Sequence, residues 1–140
     1  MTTSGTSAII LALMALDLNK GDKVIVPNYT MIATINCIEH LGLQPIIVDV
    51  DPNTYTININ HIKSKICSDT KAIIHVSLNN RYINLEELVL YCKNNNIFVH
   101  LVSCTSRRIV TKISGTNSFL FITSFTSSFP TIRIVLVTIS

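Results

Sequence analysis

The sequence predicts an α/β domain: a mainly parallel sheet with helices on both faces, three layers in all. Two observations carry this expectation. The runs KVIVP, QPIIVDVDP, KAIIHVSL and IFVHLVS are dense in Val and Ile without strict polar alternation, as strands covered on both faces are. Helix-like segments of about a dozen residues separate these runs, and parallel strands need connections of that length to return to the same edge. No internal repeat and no Gly-rich or Pro-rich linker divides the chain, so residues 1–140 read as a single domain.

Each element follows from its own residues. Residues 7–18 are apolar nearly all round and built from Ala, Leu and Met, which predicts a buried helix; Asn19 and Gly21 follow as stop signals. KVIVP is a short interior strand closed by Pro27, and TMIATINCIEHLG is a second helix, capped by Thr30 and stopped by Gly42. QPIIVDVDP is the next strand. NTYTININHIKSKIC begins as a loop and runs into a short helix with Lys63 and Lys65 on its wet side, before the strand KAIIHVSL. In NLEELVLYCKNNN, Asn84 is the expected cap, Glu86 and Glu87 fall in the first turn and Lys93 in the last, so the charges oppose the helix dipole. IFVHLVS is the fourth strand.

The last third differs in character. Between Lys112 and Arg133 there is no charged residue, and SFLFITSFTSSF and IRIVLVTIS form two strand-like runs of Phe, Ile, Val and Thr. No helix-like segment follows to cover them, so such an edge is expected to pack against something.

Composition narrows the function classes. Eleven basic and eight acidic residues give a net charge of +3, and Arg107–Arg108 is the one basic doublet, so the patch that nucleic-acid binding needs is absent. Mean hydropathy is high at +0.46. Yet the longest apolar run, residues 8–16, is about half of the roughly 20 residues of a spanning helix and is closed by Asp17. No Lys or Arg precedes that run, unlike a signal peptide, and the chain reads as cytoplasmic, with no membrane role. Cys37, Cys67, Cys92 and Cys104 form no CxxC pair and lie at no zinc-ligand interval from a His; they read as reduced, buried thiols. His40, His61, His75 and His100 are isolated from one another and read as surface or satisfied core residues.

The opening SGTSA has two readings. Small hydroxyl residues at a helix start can cap it, or can hold an anion with the unpaired amides of the first turn. Taken together and in order, residues 4–62 (SGTSAIILALMALDLNKGDKVIVPNYTMIATINCIEHLGLQPIIVDVDPNTYTININHI) and DTKAIIHVSL resemble the N-terminal part of the DegT/DnrJ/EryC1/StrS family. The match is close over residues 4–78 and weak over 79–140. These are pyridoxal-phosphate (PLP) dependent aminotransferases acting on sugar nucleotides in polysaccharide biosynthesis, with the type I aminotransferase fold. The resemblance therefore implies an incomplete large domain, PLP as cofactor, and Thr6 and Ser7 as ligands of its phosphate.

The same resemblance locates the other expected site positions. A PLP aminotransferase needs a lysine amine, a carboxylate to keep the pyridine nitrogen protonated, and a flat residue to stack on the ring. At the run that carries the carboxylate this chain has LVSCTS, placing Val102 at the Asp position and Thr105 at a Gln position. Within PNYTMIAT the stacking position falls on Met31. The lysine pattern aligns with SFTSSF, placing Phe129 at the lysine and Ser124 at a phosphate-binding serine, or with SSFPTI, placing Ile132 at the lysine; no lysine follows Lys112. Asn80 stands where the family usually has a glycine. The expectation is a sugar-aminotransferase homologue with no catalytic residues of its own and no transaminase activity.

Two alternatives remain open on the residues. Family members are dimers with active sites between subunits, so the chain is expected either to act as such a relic or to pair, as an interaction module, with itself or with a full-length homologue. A Rossmann or flavodoxin-type nucleotide domain fits the alternating pattern but lacks GxGxxG and the P-loop. Asp49 and Asp51 in VDVDP read as a structural turn supported by Pro52, Ser77, Ser103 and Ser124 lack a GxSxG elbow, and Cys104 has no identifiable His partner.

Overall fold

The computed structural model describes the backbone of residues 4–78, 85–105, 108–114, 119–125 and 133–137, and the side chains of residues 4–77, 85–100 and 102. The order is α1 (Gly5–Met14), β1 (Lys23–Pro27), α2 (Ile32–His40), β2 (Gln44–Val48), α3 (Ile59–Lys65), β3 (Thr70–Leu78), α4 (Glu86–Asn94), β4 (Phe98–Thr105), β5 (Arg108–Ser114), β6 (Phe119–Phe125) and β7 (Arg133–Val137). One sheet runs β2-β1-β3-β4-β5-β6-β7. The four strands expected from sequence, β1 to β4, are mutually parallel, and β5 to β7 extend the sheet by antiparallel pairing.

Alternation along the strands builds three layers. Val24 and Val26 of β1, Ala72, Ile74 and Val76 of β3 and Val102 of β4 share a buried cluster with Ile9 and Leu13 of α1 and Cys37 and Ile38 of α2. The intervening residues Ile25, Ile73 and Val99 point the other way, into a cluster with Ile62 of α3 and Leu88 and Cys92 of α4. Neighbouring strand positions therefore feed two cores, which is why these strands read as unbroken apolar runs. β1 lies between β2 and β3 and is buried from Val24 to Pro27, while the edge strand β2 leaves Ile47 half exposed.

Several element boundaries differ from the sequence reading: α1 begins at Gly5 instead of residue 7, and β2 ends at Val48, short of the expected end at Pro52. α1 ends at Met14 instead of residue 18, because the chain turns and Asp17 takes a left-handed φ of 49°. α2 starts at Ile32 with Met31 at its N-cap, and Thr30 gives no cap hydrogen bond; its Oγ1 lies 3.0 Å from that of Thr34 instead. β4 runs to Thr105 because Ser103, Cys104 and Thr105 find partners in β5, a strand the sequence reading leaves unassigned. In α4 the first-turn Glu86 and Glu87 and the last-turn Lys93 stand as expected; the expected cap Asn84 lies outside the described residues. Gly42 carries a φ of +72° at the turn into β2, which glycine adopts without steric cost.

Among the described residues no helix is long and apolar enough to cross a membrane, and no group of three or more His, Cys, Asp or Glu could hold a metal ion.

Candidate functional site

The start of α1 is built by Ser4. Its extended backbone (φ −154°) places Oγ to accept the Ser7 amide at 3.1 Å, and the two hydroxyls lie 3.0 Å apart. Ser4 was missed in the sequence reading, although a Ser three residues before Ser7 is the spacing of an N-cap. Ser4 and Thr6 are exposed, Ser7 is half-buried, and the first turn contains no acidic residue. The Thr6 carbonyl accepts the Cys37 thiol at 3.5 Å, which ties this turn to α2. The turn thus combines exposed hydroxyls with the positive end of the helix dipole, although the Ser7 amide is already engaged by the cap.

Below that turn the chemistry changes. Ile9, two residues beyond Ser7, belongs to the same buried cluster as Val26, Val76 and Val102. Val102 is 5% exposed. Met31, the expected stacking residue, is 64% exposed at the start of α2. Ser124 lies on β6, and the register runs from Cys104 to Ile109 to Ser124 across three strands. Its backbone is therefore level with the end of β4 and roughly 10 Å away, two strand spacings. The side chains of Ser124 and Thr105 are outside the described set, and Asn80, Phe129 and Ile132 lie outside the described residues altogether.

Asp49 and Asp51 serve the turn after β2. Asp49 Oδ1 accepts the Asn28 amide at 2.7 Å, and Asp51 Oδ1 accepts the backbone amides of Asn53 and Thr54 at 2.8 and 3.1 Å. These amides hold the Asp51 carboxyl below its usual range. The pair is structural, as its Pro-containing turn predicts.

Two histidines behave differently from expectation. His75 is buried on β3 with Nε2 3.1 Å from Ser77 Oγ and Nδ1 unpaired. His100, on β4, is fully buried and neither ring nitrogen has a hydrogen-bond partner among the described residues, so the expectation of a satisfied core histidine is not met there. Burial pushes both imidazoles down to about 4, because the charged form loses its hydration. Of the cysteines expected to be buried, Cys37 and Cys92 are, but Cys67 is exposed; the side chain of Cys104 is outside the described set.

PLP would ask two things of these residues, an anion cradle for its phosphate and a carboxylate for its ring. The phosphate end fits, through the hydroxyls and helix start at Thr6 and Ser7. The ring end does not: Val102, which the resemblance puts at the carboxylate position, is an apolar side chain packed in an apolar cluster, which can neither accept a proton nor balance a pyridinium.

Comparison with known proteins places these features. The sequence profile of the DegT/DnrJ/EryC1/StrS aminotransferase family matches residues 1–119. The GDP-perosamine synthase of Escherichia coli O157:H7 is 42% identical over 97 residues, covering 69% of this chain and 27% of that protein. Among solved structures, an E. coli GDP-4-keto-6-deoxy-D-mannose-3-dehydratase with bound hydrated PLP superposes with a TM-score of 0.69 at 32% identity, covering 75% of this chain and 28% of the other. An aminotransferase from Psychrobacter cryohalolentis gives a TM-score of 0.67 at 33% identity, covering 69% of this chain and 25% of its own. The chain thus spans about a quarter of the length of these relatives. With a profile match over most of its length and a shared fold, the chain belongs to the DegT/DnrJ/EryC1/StrS aminotransferase family.

Proposed function

We propose that this chain is a cytoplasmic pseudoenzyme of the sugar-aminotransferase family, retaining a phosphate-holding helix start and lacking transaminase activity. The observation that carries this reading is Val102, buried among Ile9, Val26 and Val76 at the position where the family places its carboxylate. Without that charge a bound pyridine ring would lose the protonation on which its electron withdrawal depends. Thr6 and Ser7, with Ser124, would hold a phosphate through hydroxyls and first-turn amides. The names of the relatives, a GDP-perosamine synthase and an aminotransferase among them, support an ancestral amino transfer to nucleotide-linked sugars; the proposed setting is polysaccharide biosynthesis.

The test is incubation of the purified chain with PLP, reduction with borohydride and peptide mass mapping, alongside titration with inorganic phosphate. We expect no pyridoxyl adduct on a lysine beyond the level seen with denatured chain, and saturable phosphate binding weakened by Thr6→Ala with Ser7→Ala. A stoichiometric adduct at one lysine would overturn the reading.

A second reading is a non-catalytic interaction module that pairs with itself or with a full-length aminotransferase. It is favoured by the exposure of Met31 and Ile32 beside Tyr29, whose ring lies 5.6 Å from that of Tyr55. Gel filtration alone and with a full-length relative separates the two: a monomer in both runs counts against pairing.

A further inference from the structure

His100 occupies the layer between the sheet and α1. Phe98 of β4 packs against Ala8 and Ala12 of α1, and Val102 shares a cluster with Ile9 and Leu13 of the same helix. By strand alternation His100 stands between these two positions on the same face. Its exposure is 0%, and neither ring nitrogen has a hydrogen-bond partner among the described residues. The other buried imidazole, His75, alternates with Ile73, which faces α3 and α4, so it lies across the sheet from α1.

No group placed on the α1 face of the described sheet can balance a charge on this ring. α1 contains no titratable side chain, and the β3 residues on this face, Ala72, Ile74 and Val76, are apolar and buried. From α2 comes Cys37, whose thiol donates to the Thr6 carbonyl and is kept protonated by burial. On β5 the position paired with His100 is Ile113, and the next on β6 is Leu120. The charged positions Arg108, Lys112 and Arg133 fall in register with Thr105, Leu101 and Ser103, which belong to the opposite face.

We infer that α1 is an acid-released cover on the sheet: proton uptake by His100 frees the helix as a unit while the strand ladder stays formed. An imidazolium under α1 has neither hydration nor a counter-charge, and lifting the helix returns water to both nitrogens. α1 takes no part in the ladder β2-β1-β3-β4-β5-β6-β7, so its departure breaks no strand pair. The buried ring titrates at about 4, against roughly 6.5 once hydrated, so the opening becomes easier as pH falls below 6.5. The device operates whether or not Thr6 and Ser7 bind an anion.

Hydrogen exchange of the intact chain without phosphate, resolved by amide at pH 7.5 and pH 5 and corrected for intrinsic rates, tests this. Protection of the α1 amides from Ile9 to Leu13 should fall about thirtyfold, while the Ile25 and Ile73 amides stay better protected than α1 at both pH values. His100→Leu, or His100→Gln if the Leu chain does not fold, should abolish the α1 change. His75→Gln should leave it in place, because lifting α1 does not hydrate the opposite face. The inference is overturned by α1 protection that ignores pH, by α1 and Ile73 amides equally protected at pH 5, by an α1 change that survives the His100 substitution, or by one that His75→Gln removes.

Discussion

Ile9 and Val102, 93 positions apart in sequence, sit in one buried apolar cluster, so the helix whose start carries Thr6 and Ser7 shares its core with the residue that the resemblance puts at the family's carboxylate position. This shared burial sets the first prediction. Val102→Asp should not restore a cofactor site; it should destabilise the chain by about 3 kcal/mol at neutral pH, because a carboxylate placed there has no partner. The penalty should shrink as pH falls and the introduced acid becomes neutral. Urea denaturation at pH 7 and pH 4 measures both terms, and parental stability at pH 7 would contradict the packing described.

His100 sets a pH dependence of defined sign. Its folded value, about 4, lies below the roughly 6.5 of an unfolded histidine, so the unfolded chain binds the proton first. The stability is therefore fully present above about pH 6.5 and is lost as pH falls toward 4, by up to about 3 kcal/mol. His75, with the same depressed value, adds a term of the same sign. His100→Leu should remove two unpaired buried nitrogens, raise stability at pH 7 by about 1–2 kcal/mol and flatten the acid limb. Denaturation midpoints between pH 4 and pH 8 provide the measurement; an unaltered pH profile in the variant would assign the acid limb to other groups.

Ser4 should contribute as a cap independently of any ligand. Ser4→Ala removes the 3.1 Å acceptor of the Ser7 amide and should cost about 1 kcal/mol. Inorganic phosphate should recover part of this loss if it occupies the freed amide, so thermal melts with and without phosphate compare cap and ligand directly. A loss that phosphate leaves unchanged would limit Ser4 to a structural role and separate the cap from the proposed cradle.

Much of this architecture is legible along the chain. KVIVP matches β1 residue for residue, and the Val and Ile runs of β2, β3 and β4 fall where local pattern puts them, because two-sided burial leaves no polar face to interrupt the run. β5 is not legible: Arg108 and Lys112 break its apolar residues, and its stability comes from β4 and β6 on either side. The start of α1 is legible as a polar turn before an apolar helix, but which hydroxyl caps it is decided by the backbone angle at Ser4.

The sequence by itself determined the alternating α/β order and the family, since these depend on residue identity and on spacing over a few turns of chain. Tertiary structure alone decided that Val102 is sealed in an apolar cluster, that His100 is buried with no hydrogen-bond partner among the described residues, and that Lys23 meets Cys67 across 44 positions. These are through-space relations fixed by strand register and helix packing, and residues distant in sequence carry no local periodicity from which such meetings could be read.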